Sequence, residues 1–119
     1  MLLLAEADWR AWNTVDPVWR NPINRSPLPV IAVYIVTKNM TVAQHTEGRD
    51  RLRQAGAPES AMKLHSCFGE DGQLQVFDVW ESQEAFDEFL TYLGPVMEEL
   101  GIELAQPPTI MPIVDLVQQ

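Results

Sequence analysis

Two histidines, one cysteine and a run of mixed charges near the middle of the chain are the residues whose spacing suggests chemistry. Met62 to Phe68 and Gln73 to Trp80 are strand-like runs joined by Gly69-Glu70-Asp71-Gly72, and Asp-Gly between two such runs marks a β-hairpin. With Asp71-Gly72 as a two-residue loop, Glu70 faces Gln73 and the pairing runs back through Cys67 with Val76, His65 with Asp78 and Lys63 with Trp80. Those six residues then share one face, while Leu64, Ser66, Phe68, Phe77 and Val79 share the other. Directly opposed side chains lie about 5 Å apart, so His65 and Asp78 are placed to hydrogen-bond, the carboxylate fixing the imidazole tautomer and raising its basicity. Such a pair is the outline of a general base. It is equally the outline of a buried polar tie between two strands, since an interior carboxylate needs a partner, and His65, Lys63 or Arg49 can serve. Cys67 reads as a small core residue, because nothing in the sequence lowers its pKa.

The elements that hold this pair follow from the flanking pattern. Val30 to Val36 is a β-branched run too short for a helix and reads as a strand buried on both faces. Thr41-Val42-Ala43-Gln44 has the form of a capping box, and Gly56 followed by Pro58 closes a helix of about four turns. The inward stripe of that helix is Val42, His45 or Thr46, Arg49, Leu52 and Ala55, which is thin in large apolar groups. A polar-lined helix over a sheet suggests a cavity; the other reading is a weakly packed helix whose His45 and Arg49 reach water. Ser82 caps a second helix with Glu84 in its first turn. Phe86, Phe89, Leu90, Leu93, Met97 and Leu100 form its buried stripe, Gly94-Pro95 is expected to kink or split it, and Gly101 ends it. Its acids read as a solvated face. Thr109 to Val117 reads as an edge strand, the place where Pro112 is tolerated.

The order β-α-β-β-α-β, with a tight central hairpin, predicts an α+β fold of the ferredoxin-like kind: one antiparallel sheet with two helices on one face. The other face has no element left to cover it, and this calls for a second copy of the chain, a homodimer. Length and charge agree with one domain. The 119 residues bury roughly two thirds of their unfolded surface, enough for one core. A net charge of -9 repels phosphate backbones, so nucleic acid is not an expected partner. One cysteine makes no intrachain bridge, no paired Cys/His spacing suggests a metal, and no apolar run reaches the roughly 18 residues that span a bilayer. The expectation is a cytoplasmic protein without export signal or membrane partner, because Glu6 and Asp8 end the short apolar start Met1 to Ala5.

Residues 1–29 differ from the rest: they hold Trp9, Trp12 and Trp19 together with Pro17, Pro22, Pro27 and Pro29. The organisation expected is an irregular Trp/Pro-rich arm over 1–29, lying across a pocket or a partner or else loosely docked, and one ferredoxin-like domain over 30–119. The arm's charges cancel, so the domain carries the whole negative balance.

Asp78-Val79-Trp80-Glu81-Ser82-Gln83-Glu84-Ala85-Phe86, following a strand with His65 and preceding a helix with Gly94-Pro95 and Gly101-Ile102, resembles the dimeric α+β barrel proteins of the antibiotic-biosynthesis-monooxygenase type. The resemblance covers about residues 29 to 117. It implies a pocket between helices and sheet in each subunit of a dimer, lined by Trp80. Such proteins include cofactor-independent oxygenases of polyketide quinols, cyclases, isomerases and haem-degrading enzymes. The haem-degrading branch also has a histidine about ten residues beyond the tryptophan and an asparagine on the first strand. Here the former position is Leu90, and Val30 to Thr37 has no asparagine.

The function expected is therefore an enzyme acting on a flat aromatic or polyketide-like molecule without cofactor or metal. His65, oriented by Asp78, deprotonates a phenol or enol. The anion then passes an electron to dioxygen, or closes a ring or isomerises. Trp80, Tyr34, Phe86 and Phe89 stack on the substrate, His45 also lines the pocket, and Arg49 or Lys63 stabilises the anion. The alternative is a non-catalytic ligand-binding or assembly homodimer of the same fold.

Overall fold

A computed structural model describes residues 30–117 of the chain. The Trp/Pro-rich arm expected over 1–29 lies outside the described residues. Within them the order is β1 (Ile31–Val36), α1 (Val42–Ala55), β2 (Met62–Glu70), β3 (Gln73–Trp80), α2 (Gln83–Leu100) and β4 (Thr109–Pro112). The four strands form one antiparallel sheet in the order β2-β3-β1-β4, the ferredoxin-like arrangement.

Local chemistry sets the boundaries. The Thr41 hydroxyl accepts from Gln44 N while Gln44 Oε1 accepts from Thr41 N, so the capping box starts α1 at Val42. Gly56, left-handed with φ 76°, ends it. Ser82 caps α2 through Ala85 N, and Gly101 closes it. The expected break at Gly94-Pro95 does not occur: α2 runs through Pro95 for 18 residues. An interior proline costs about 3 kcal/mol, and burial of Phe86, Phe89, Leu90 and Val96 on one stripe offsets it.

Alternation in the strands divides the sheet into two faces. Ile31, Val33 and Ile35 of β1 and Leu74, Val76 and Trp80 of β3 point toward the helices and pack with Leu52, Phe86, Phe89, Leu90 and Val96 in one core. β1 is therefore buried fully on one face, with Ala32, Tyr34 and Val36 half-buried on the other. On that outer face Leu64, Phe68, Phe77 and Met111 are exposed on three of the four strands, and no described element covers them. The last strand is shorter than expected. It stops at Pro112, which has no N–H to donate; Ile113 N adds one bond to Val30 O, and Val114 is fully exposed.

The hairpin has the expected two-residue loop, with Glu70 opposite Gln73. Gly69 and Gly72 take φ 102° and 99°, values that side chains resist. The turn is also tied to the start of α1: Asp71 Oδ1 accepts from Val42 N at 2.9 Å, and Gly72 N donates to Met40 O at 3.1 Å. These bonds fix α1 against the hairpin.

Candidate functional site

His65 and Asp78 stand opposite one another on β2 and β3, as the loop length requires, and His65 Nδ1 lies 2.7 Å from Asp78 Oδ1. Val33 flanks Asp78 on β1, so the carboxylate sits on an inner strand with only 7% of its side chain exposed. A third group completes a chain. His45, in the first turn of α1, brings its Nε2 to 3.1 Å from His65 Nε2. The two ring planes are parallel with centroids 5.2 Å apart, farther than the facing nitrogens, so the rings meet edge to edge as a hydrogen bond needs.

The hydrogens follow from donor and acceptor rules. An ionised carboxylate only accepts, so His65 Nδ1 carries the hydrogen that it shares with Asp78. Neutral His65 then has a lone pair on Nε2, and His45 Nε2–H must donate to it. His45 Nδ1 is left as the unprotonated nitrogen, with no hydrogen-bond partner among the described residues. Burial lowers the pKa of His45 from its ordinary 6.5, with smaller contributions in the same direction from His65 and Arg49 and an opposing one from Asp78. His45 is thus held neutral, the form in which it can accept a proton.

The three side chains border a cavity of about 70 Å³ between helices and sheet. α1 contributes Gln44, His45, Gly48, Arg49 and Leu52; α2 contributes Phe89, Leu93, Val96 and Met97. Ile35, Met62, His65, Val76 and Asp78 form the sheet wall, and Thr37, Met40, Ile102 and Leu104 close the end. Most of its polar groups are already occupied. Thr37 Oγ1 donates to Leu74 O, and Gln44 is held by Thr41 N and Leu100 O. Arg49 is the exception: Glu59 Oε1, at 3.7 Å from its Nη2, is an ion pair beyond hydrogen-bond distance.

The structure brings together His65, Asp78, His45, Arg49 and Phe89 and leaves four other expected site residues off the cavity wall. Lys63 is displaced by a β-bulge: Met62 and Leu64 pair with the adjacent Trp80 and Val79, so Lys63 has no opposite number and is exposed, and Met62 takes the inward position. Tyr34 has the parity of the outer face and hydrogen-bonds Gln75 there. Trp80 and Phe86 lie deeper, in the core. Trp80 is fully buried, with Phe86 at 5.8 Å and Phe89 at 4.8 Å between ring centroids, and its Nε1–H has no acceptor among the described residues. Neither offers a ring face to a ligand in the cavity.

Burial, and then the charge of Asp78, push the Cys67 thiol up from its ordinary value, which keeps it protonated. Among the described residues no three His, Cys, Asp or Glu side chains are gathered as a metal-ligand group, and no helix is long and apolar enough to cross a membrane. The helix acids Glu84, Glu88, Glu98 and Glu99 are exposed. The methionine and leucine walls of the cavity escape sequence reading, because only tertiary packing tells a cavity wall from filled core. For His45 the capping box was a usable signal: with α1 starting at Val42, positions 45, 48, 49 and 52 fall on one face.

No protein-family model and no curated protein matches the chain. Solved structures are similar at low identity. A protein of unknown function from Nitrosomonas europaea shares 13% identity with a TM-score of 0.53, over 79% of this chain and 98% of its own. A monooxygenase from the gene ActVA-Orf6 of Streptomyces coelicolor, solved with nanaomycin D, shares 16% identity with a TM-score of 0.48, over 82% and 98%. The likeness to the Nitrosomonas protein shows a common fold.

Proposed function

We propose that the chain is an acid–base enzyme that removes a proton from a small enolisable organic molecule held between the helices and the sheet. One observation carries the reading: the chain Asp78, His65, His45 runs from a buried carboxylate to a histidine that lines an apolar cavity and whose Nδ1 has no hydrogen-bond partner among the described residues. A proton arriving at His45 Nδ1 lets His45 Nε2–H pass to His65 Nε2. The positive charge then rests on His65, 2.7 Å from Asp78, and not beside Arg49. His45 is the acceptor, His65 the relay and Asp78 the counter-charge.

The size of the cavity bears on the ligand. An engineered cavity of about 150 Å³ admits benzene; this one is about 70 Å³. A flat polyketide-like molecule would need more room than this, and Trp80 is fully buried in the core. Isomerisation, ring closure and capture of dioxygen by the anion all start from the same proton transfer. The proposal includes a homodimer in which another copy covers Leu64, Phe68, Phe77 and Met111, and the exposed apolar outer face of the sheet supports it.

The test is deuterium exchange from solvent into butanone and 2-oxobutanoate, followed by NMR, with an oxygen electrode on the same samples. Exchange at least tenfold above buffer, lost in His45→Asn and His65→Gln proteins that melt like the parent, is expected. Exchange at the buffer rate with both compounds contradicts the reading. Oxygen uptake in step with exchange selects the oxygenase branch.

A further inference from the structure

Two residues that line the cavity have unfilled hydrogen-bonding capacity, and they sit one helical turn apart. His45 and Arg49 are related by i, i+4 on α1, which puts their Cβ atoms about 5–6 Å apart on one side of the helix. His45 Nδ1 accepts one hydrogen. The Arg49 guanidinium has five N–H donors and makes no hydrogen bond from its side chain among the described residues, its Glu59 contact being 3.7 Å long. It is about three-quarters withdrawn from water, where a guanidinium whose N–H groups lack acceptors is costly even beside a counter-charge. The remaining walls are apolar or satisfied. A ligand that complements both groups has an anionic oxygen pair at one end and an acidic C–H at the other, with little between.

We propose that the cavity binds a short acyclic oxo-carboxylate, its carboxylate held by Arg49 and its enolisable C–H presented to His45 Nδ1. This rests on the acid–base reading above and narrows it to an anionic substrate class. A guanidinium matches a carboxylate edge to edge with two parallel N–H···O bonds, a fit that an ammonium cannot reproduce. A volume of about 70 Å³, under half that of the cavity that admits benzene, suits a chain of a few carbons whose alkyl end meets Leu93, Val96 and Met97. In the reaction the C–H bond breaks, its proton goes to His45 Nδ1, and its electron pair becomes the enolate C=C with the charge on the former carbonyl oxygen. Reprotonation at carbon or oxygen from the same nitrogen completes a tautomerisation, with no oxidant or reductant needed.

The arrangement also couples binding to basicity. Arg49 is one of the charges that hold His45 below its ordinary pKa. The other charged or titratable groups that act on His45 are His65, on its ring edge, and Asp78 beyond it. A carboxylate seated on Arg49 cancels part of that positive field, so His45 becomes a stronger base only when the anion is in place.

The experiment compares 2-oxobutanoate with butanone, its uncharged counterpart, in the full chain, by exchange kinetics and by calorimetric binding. Wild type is expected to exchange 2-oxobutanoate with a KM at least tenfold below that for butanone. Arg49→Gln should abolish that difference and Arg49→Lys restore only part of it, with thermal melting confirming that both fold. The base pKa read from kcat should lie above the one read from kcat/KM for 2-oxobutanoate and coincide with it for butanone. Equal KM for the two compounds, with exchange still dependent on His45, overturns the anion proposal and leaves the acid–base reading standing. Arg49-dependent binding of 2-oxobutanoate without any exchange does the reverse. Absence of both binding and exchange overturns both.

Discussion

His45 and His65 face each other nitrogen to nitrogen, Nε2 to Nε2 at 3.1 Å, although one is in the first turn of a helix and the other on an edge strand. That contact joins the hairpin's polar pair to the helical layer. It extends a two-residue tie between strands into a three-residue path that ends at the cavity. Hairpin and helix are held in this relation by the Asp71 and Met40 bonds described above, so the contact depends on a turn that lies outside the cavity wall.

Asp78→Asn removes the charge that stabilises a protonated His65 while keeping the size of the side chain. Exchange activity is expected to fall at least a hundredfold. The asparagine amide can also reverse the His65 tautomer, since it offers N–H as well as C=O. Stability is expected to change by about 1–3 kcal/mol, the range for a buried polar partner lost or mismatched, as read by urea titration. Full activity in Asp78→Asn would remove the carboxylate from the relay.

Acid should destabilise the protein through His45. Its folded pKa lies below the unfolded one, so as pH falls under about 6.5 the unfolded chain takes up a proton before the folded chain does. The stability contributed by neutral His45 is complete above that pH and is lost as pH falls through the lowered folded value. Urea midpoints for wild type and His45→Asn at steps from pH 8 to 5 should converge on the acid side. Parallel curves would show that His45 is not held neutral.

Trp80→Phe separates a core residue from a pocket residue. The substitution shrinks the ring but also deletes a buried N–H that has no acceptor among the described residues, a group that costs about 1–3 kcal/mol to leave unsatisfied. The net loss should be well below the roughly 3–5 kcal/mol of Trp→Ala in a core, with the KM for 2-oxobutanoate within threefold of wild type. A large KM effect with unchanged melting would put the indole back at the ligand.

Phe77→Glu tests the outer face. A charge placed among Leu64, Phe68 and Tyr34 should weaken self-association at least tenfold, about 1.4 kcal/mol, as measured by sedimentation equilibrium. A wild-type protein that sediments as a monomer at high concentration would show that a second copy does not cover this face.

Much of this arrangement is legible in the sequence because it rests on local rules. The Asp71-Gly72 loop sets the hairpin register and so His65 opposite Asp78; Thr41, Gly56, Ser82 and Gly101 set the helix ends. What escapes is set by tertiary geometry. One extra residue in β2 moves Lys63 out and Met62 in, and no pattern of types announces that bulge. Tyr34 falls on the outer face because parity in β1 is fixed by its pairing with Trp80 through Ile31, a long-range register. Pro95 passes inside α2 because packing outweighs its local cost, and Pro112 ends β4 where packing is absent.

The most direct test of the relay is nitrogen NMR of the two imidazoles at neutral pH, which reports where each hydrogen resides. We expect His65 protonated on Nδ1 with a bare Nε2, and His45 protonated on Nε2 with a bare Nδ1. A hydrogen on His45 Nδ1, or a His45 that is doubly protonated at pH 7, would contradict it.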